Sequence, residues 1–297
     1  MNCLQNLNGM KQILLLAAII TSLSLQIFAH PAWGIEVDKQ RTVYFADISH
    51  NGRGTVWKLT RDGTLTALLK DFHAHSVNLD SDGRPVTAHG EERDNRLVRI
   101  LNATRSETLF MSQDWDRFFG GNSFYSKKGN IYFGMKNIWQ VHPKGNTRKF
   151  NDHTFEWIQS IYIDDEEKAY AVDKAVLGGA LYRLSNEGSA EILAQDLISA
   201  SPGPVDLHNV VATGITKGCD GKMYVTESVG RRVVKINDDG TSETFYRSAD
   251  DWFPTGIDMF AGDMYVLEYK NNGIDRGPRI TKIDELGKIS VLVEVKD

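Results

Sequence analysis

Six copies of one strand motif at a near-constant spacing, a second β-rich run ahead of each copy, and glycine-bearing turns beside them predict an all-β chain: a six-bladed β-propeller of four-stranded blades. The motif reads aliphatic, any residue, basic or Gln, aliphatic. It occurs as Val56-Trp57-Lys58-Leu59, Leu97-Val98-Arg99-Ile100, Ile138-Trp139-Gln140-Val141, Leu181-Tyr182-Arg183-Leu184, Val233-Val234-Lys235-Ile236 and Ile280-Thr281-Lys282-Ile283. Counted at the third position, successive copies advance by 41, 41, 43, 52 and 47 residues. The upstream runs are Val43-Tyr44-Phe45, Pro85-Val86-Thr87, Ile131-Tyr132-Phe133, Ala169-Tyr170-Ala171, Met223-Tyr224-Val225 and Met264-Tyr265-Val266, compositions that suit a pleated surface. Turns such as Asp82-Gly83, Asp220-Gly221 and Asp239-Gly240 supply the positive φ of a tight hairpin. Four strands in each unit of about 44 residues close radially; a sandwich or an up-and-down barrel predicts no such period.

The 297 residues are 41% hydrophobic and 25% charged with 26 glycines, which gives ample core for one large unit. Acidic side chains number 39 against 34 basic, a net charge of -5, so no diffuse positive field attracts phosphate backbones and nucleic acid is not an expected partner. Residues 1–34 read as a secretory signal peptide. Lys11 precedes an apolar stretch from Ile13 through Phe28, which ends in the small residues Ala29, Ala32 and Gly34. Cleavage is expected near Ala29 or Gly34. Met10-Lys11-Gln12-Ile13-Leu14-Leu15 has the form of a signal start, so Met1 to Gly9 reads as an upstream extension. Thr21, Ser22, Ser24 and Gln26 interrupt the apolar run, and no later stretch approaches the roughly 20 apolar residues of a membrane span. Residues 35–297 are then one propeller domain, secreted or periplasmic and expected to be a monomer. Its single cysteine, Cys219, allows no intramolecular disulfide.

Three residues beyond the middle of each second strand stand Asp47, His89, Met135, Asp173, Glu227 and Glu268. In a propeller the loops leaving the second strand and those entering the innermost strand share one face. These groups, with His75, Ser76, Asn78, Asn122, Gln159, Thr213 and Thr255 from inner-strand entry, are therefore expected at one mouth of the tunnel. Converging oxygens suit a hard cation, Ca²⁺ or Mg²⁺. The candidate ligands are Asn122, Asp173, Glu227, Glu268 and Asp47, with His89 and His75 as the catalytic proton-handling groups. The structural alternative stays open: each acid pairs with the basic residue opening the next strand (Arg96, Arg232, Arg279) or caps a loop. Long insertions at 174–179, 199–209 and 270–278 fall on the same face, where recognition tends to sit. Asn78, Trp115, Trp252 and the lid residue His208 are the substrate-binding candidates, although packing between blades equally explains the aromatic residues. His50, His73, His142 and His153 read as turn or surface residues. No organic cofactor is indicated, since the chain has no dinucleotide fingerprint, phosphate-binding glycine loop, Gly-x-Ser-x-Gly elbow or His-Glu-x-x-His helix.

Thr213-Gly214-Ile215, Asp220-Gly221-Lys222-Met223-Tyr224-Val225-Thr226-Glu227 and Arg231-Arg232-Val233-Val234-Lys235-Ile236 together resemble NHL repeats. They also resemble the related six-bladed SMP-30/gluconolactonase and strictosidine synthase-like family. Asn78-Leu79-Asp80-Ser81-Asp82-Gly83-Arg84 with Ala88-His89-Gly90 is similar to a stretch common in gluconolactonases. The resemblance implies a divalent cation at the top of the tunnel, held by a Glu, an Asn and an Asp. Asn122, in Gly121-Asn122-Ser123-Phe124, matches the Asn. The expected Asp is Thr in both Ala212-Thr213-Gly214 and Pro254-Thr255-Gly256, and the mature start Ile35-Glu36-Val37-Asp38 has no Glu followed by Gly-Pro. The implied function is binding of a small molecule at the tunnel top with divalent-cation-dependent ester or lactone hydrolysis. The alternative is a non-catalytic NHL-type scaffold for a protein or glycan partner.

Overall fold

The repeated motif is the third strand of every blade. The computed structural model describes residues 31–48, 50–91, 94–114, 123–158, 160–185, 187, 189–200, 212–270 and 277–296. Blade 1 is β1 (Ile35–Val37), β2 (Val43–Asp47), β3 (Thr55–Leu59) and β4 (Leu65–Lys70). Blade 2 is β5 (Ala74–Leu79), β6 (Pro85–Glu91), β7 (Asp94–Asn102) and β8 (Arg105–Met111). Blade 3 is β9 (Ser123–Tyr125), β10 (Ile131–Phe133), β11 (Trp139–Val141) and β12 (Thr147–Lys149). Blade 4 is β13 (Ile161–Ile163), β14 (Ala169–Asp173), β15 (Ala180–Leu184) and β16 (Ala190–Ala194). Blade 5 is β17 (Ala212–Lys217), β18 (Met223–Glu227), β19 (Arg232–Ile236) and β20 (Ser242–Arg247). Blade 6 is β21 (Trp252–Phe260), β22 (Asp263–Lys270), β23 (Arg279–Ile283) and β24 (Ile289–Glu294). Each blade is one antiparallel sheet whose strands follow in chain order. Among the described residues, no helix is long and apolar enough to cross a membrane.

The motif's chemistry follows from its place. Aliphatic positions such as Val56, Leu97, Leu181 and Val233 are fully buried between blades, whereas in blades 2, 5 and 6 the basic third position reaches the acid at the turn joining the first two strands. There Arg99 pairs with Asp80 at 2.7 Å, Lys235 with Asp220 at 2.8 Å and Lys282 with Asp263 at 2.8 Å. Gly83 and Gly221 take φ of 77° in these turns, the left-handed backbone that glycine adopts without strain.

Among the described residues, hydrogen bonds at or beside the innermost strands join five of the six blade junctions. Gly34 N donates to His75 O at 2.8 Å, and Ser76 Oγ meets Ser123 Oγ at 3.2 Å. Ser160 Oγ donates to Thr213 O, Thr213 Oγ to Thr255 O at 2.5 Å, and Thr255 Oγ to Ala32 O at 2.7 Å. Gly34 and Gly256 allow this approach, because a Cβ at either would press on the neighbouring backbone, at Ser76 Cα (2.7 Å) and the Trp33 carbonyl carbon (2.9 Å).

The packed unit extends upstream of Ile35. Ala32 and Trp33 are 0% and 5% exposed, and Gly34 O accepts from Ala46 N at 2.9 Å. Ala32 and Gly34, two of the small residues that read as a cleavage signal, thus sit inside the ring. Ile35–Val37 pairs with β2 of its own blade, so each chain end completes only its own sheet.

Candidate functional site at the rim of the tunnel

The first strand of blade 2 carries one extra residue. Ala74 lies opposite His89 and Ser76 opposite Ala88, so the bulge falls at His75; equivalent shifts occur before Ile215 in blade 5 and at Thr255 in blade 6. Bulges of this kind redirect side chains and are frequent beside functional sites. Here the bulge gathers three imidazoles at the rim face, where the second strands end. Ring centroids are 4.8 Å apart for His73 and His75, and 6.0 Å for His73 and His89. Trp33 lies 5.2 Å from His75, and Phe72 lies 5.0 Å from His89. His75 is 0% exposed, His89 is 7% exposed and His73 is half-buried, so the accessible edge of the cluster is His73 with His89. His89 Nδ1 stands 3.1 Å from His73 O, an atom that can only accept. Nδ1 therefore carries the proton in the neutral ring, and Nε2 carries the lone pair. His73, read from sequence as a turn residue, is a central member of this group.

The acids take other partners. Asp173 accepts from Glu156 N at 2.7 Å, Trp157 N at 3.1 Å and Ala175 N at 3.2 Å, tying the loop that enters blade 4 to the one leaving β14. Glu227 does the same in blade 5, accepting from Ser199 Oγ at 2.7 Å, Gly230 N at 2.9 Å and Arg232 Nε at 3.1 Å. Glu268 accepts from Arg279 Nε at 2.6 Å, Thr281 Oγ at 2.5 Å and Tyr246 OH at 3.0 Å. Asp47, fully buried, accepts from Trp57 Nε1 at 3.3 Å. Among the described residues, no three His, Cys, Asp or Glu side chains converge closely enough to hold a metal ion. Carboxylates already serving N–H and O–H donors of their own blade and of the one before it do not fit a shared cation. Trp252 is 5% exposed with the Arg279 guanidinium 4.2 Å over its ring, an interior stack and not an open platform. Asn122, Trp115 and His208 lie outside the described residues.

Asn78 sits three residues beyond His75, about 10 Å down the strand, in a second ring near the opposite mouth. Glu36, Asn78, Phe124, Tyr162, Thr216 and Asp258 each oppose the middle residue of a second strand, one per blade. The level is therefore the same all round the axis. Burial, then the charge of Asp258, raises the Glu36 carboxyl well above its ordinary range. Burial pushes Asp258 up to about 7, against the N–H groups of Val37 and Met259 and the Thr216 side chain. A sequence signal existed: one polar or aromatic residue stands two or three positions before each first turn.

With six four-stranded blades and the rim geometry in place, the solved structures that share the architecture can be compared. The fold, a six-bladed β-propeller, is shared with solved structures of proteins of several activities. Virginiamycin B lyase from Staphylococcus aureus is 17% identical, covering 88% of this chain and 84% of its own with a TM-score of 0.55. A gluconolactonase from Xanthomonas campestris is 14% identical over 80% of this chain and 84% of its own, TM-score 0.57. Regucalcin, a calcium-binding protein from Agrobacterium tumefaciens, is 15% identical over 82% and 84%, TM-score 0.57. At these identities the likeness is one of fold, and propellers host many chemistries. No family model matches the sequence, and no curated protein matches it.

Proposed function

We propose that this chain is an exported propeller that binds a small molecule at its rim face and hydrolyses an ester or lactone there by histidine acid–base chemistry. The observation that carries the reading is the trio His73, His75 and His89, gathered by a bulge at the mouth of a fold that gluconolactonases share. His89 Nε2 takes a proton from the attacking water, and His73 returns one to the leaving alkoxide. His75, enclosed beneath Trp33 and His73, steadies the pair. Because Asp47, Asp173, Glu227 and Glu268 do not fit a shared Ca²⁺ or Mg²⁺, no step is routed through a cation.

The test is a panel of lactones and aryl esters offered to the processed chain with and without chelator. Turnover is expected to survive chelation and to fall about 100-fold in His89→Gln. Loss of turnover on chelation alone, or equal rates in wild type and His89→Gln, overturns the mechanism. The non-catalytic alternative, a scaffold for a protein or glycan, is favoured by one observation. Leu286, Ile289, Val291 and Leu292 are 88%, 57%, 53% and 38% exposed on the outermost hairpin of blade 6.

The packing of Ala32, Trp33 and Gly34 supports leader cleavage after Ala29 rather than after Gly34. N-terminal sequencing of the exported chain is expected to begin at His30. A start at Ile35 would mean that the rim is assembled without Trp33.

A further inference from the structure

Blades 1 and 6 meet without sharing a strand, so side chains and packing alone shut the ring there. At the rim Thr255 Oγ donates to Ala32 O at 2.7 Å. Farther out Tyr269 OH donates to Ala46 O at 3.0 Å, and Arg41 pairs with Asp263. Toward the opposite mouth the closing contact is Val37 N donating to Asp258 Oδ2 at 2.8 Å, while Met259 N donates to Asp258 Oδ1 at 2.8 Å. Asp258 is therefore a clasp between the innermost strands of the first and last blades. Glu36 directly precedes Val37 and stands at the same ring level. Two half-buried carboxylates at one level of adjoining inner strands, close enough for their charges to interact, resist being charged together.

We propose that Glu36 and Asp258 hold one proton between them across the seam of the ring, and that losing this proton loosens the contact between the first and last blades.

The surroundings decide where the proton rests. Val37 N–H, Met259 N–H and the Thr216 side chain all stabilise charge on Asp258, whereas Glu36 has the Asn78 side chain. Glu36 is thus the protonated partner at neutral pH. From blade 3 the ring presents Phe124, and from blade 4 Tyr162, whose hydroxyl is raised by burial and by both carboxylates and stays neutral. Farther charges are Asp164 and Asp165 on the first turn of blade 4, and Lys127 on that of blade 3, which favours charge on both acids. Lys127 is itself exposed and paired with Asp165 at 2.6 Å. Lys217, beside Thr216, pairs with Asp164 at 3.4 Å. The folded pair binds its proton more tightly than the unfolded chain does. Its contribution to stability is therefore complete below the ordinary carboxylate range and is lost as pH rises through about 7 and beyond.

The experiment is thermal unfolding of the processed chain from about pH 5 to about pH 9, with amide exchange read at Val37. In wild type the midpoint is expected to fall across this range and Val37 to lose protection. Glu36→Gln, which keeps the shape of the protonated acid, is expected to hold its pH 5 midpoint at pH 9 and to keep Val37 protected. Tyr162→Phe is expected to retain the wild-type slope. Equal slopes in wild type and Glu36→Gln, or a wild-type midpoint that is flat with pH, overturn the proposal. Should Glu36→Gln fail to fold, infrared spectra of wild type decide. A protonated-carboxyl carbonyl band at pH 7 that vanishes at pH 9 supports the shared proton, and its absence at pH 7 overturns it.

Discussion

Glu268→Ala is expected to lower the free energy of unfolding by about 3–5 kcal/mol, because it strands a buried guanidinium. Glu268 is 0% exposed, and the Arg279 side chain it holds is 10% exposed. The substitution also removes the acceptor of Thr281 Oγ and Tyr246 OH, so three donors in the interior lose their partner together. Glu268→Gln keeps an acceptor oxygen and should cost less. Arg279→Met in the Glu268→Ala background should recover much of the loss, since the stranded charge is then gone. Lys127→Ala is the control: its partner Asp165 is as exposed as itself, and the expected change is at most about 1 kcal/mol. Urea titrations near pH 7 measure all four. If Glu268 were chiefly a cation ligand, chelator would depress the wild-type midpoint and leave Glu268→Ala unmoved. That outcome, or a loss no larger than the Lys127→Ala control, would refute the structural role.

Gly34→Ala is expected to cost about 3 kcal/mol, at the upper end for overpacking, because the obstruction is backbone. An added Cβ presses on Val77 N, the Ser76 carbonyl carbon and Ser76 Cα, none of which can swing aside. Gly83→Ala separates steric conflict from conformational strain. Its Cβ meets nothing within 4 Å, but its φ is 77°, so the cost there is about 1–2 kcal/mol from the left-handed backbone. Thermal melts of the two variants rank the effects. Gly34→Ala no worse than Gly83→Ala would show that close approach of the inner strands is not what holds the ring together.

The architecture was readable because the period is written along the chain. A strand whose third residue must reach the acid of its blade's first turn repeats as aliphatic, any, basic, aliphatic, and Arg99, Lys235 and Lys282 show the reason. The rim was readable in part. His75 and His89 fell at predictable places, but a bulge is a slip of register with no composition of its own, so His73 read as a turn residue. The positions of Asp173, Glu227 and Glu268 were readable, as were the arginine partners of the last two, but not the remaining donors. These come from elsewhere in the chain, Ser199 being 28 residues from Glu227 and Tyr246 being 22 from Glu268. The Glu36 and Asp258 pairing was harder still, since the clasp from Val37 to Asp258 spans 221 residues. Small residues at 32 and 34 suit a protease and a tight interior alike, which is why the sequence left a boundary at Ala29 and one at Gly34 both open.

Among the described residues every blade is an uninterrupted stretch of chain, and neither end lends a strand to the other end's sheet. A gene encoding such a molecule can be recut. Joining the natural ends and opening the chain in any loop between blades leaves each hairpin whole, and a duplicated or deleted segment of one blade's length removes or adds a complete module rather than breaking two. The cost of that modularity falls on a single boundary, the one between blades 1 and 6, where distant parts of the chain must find each other.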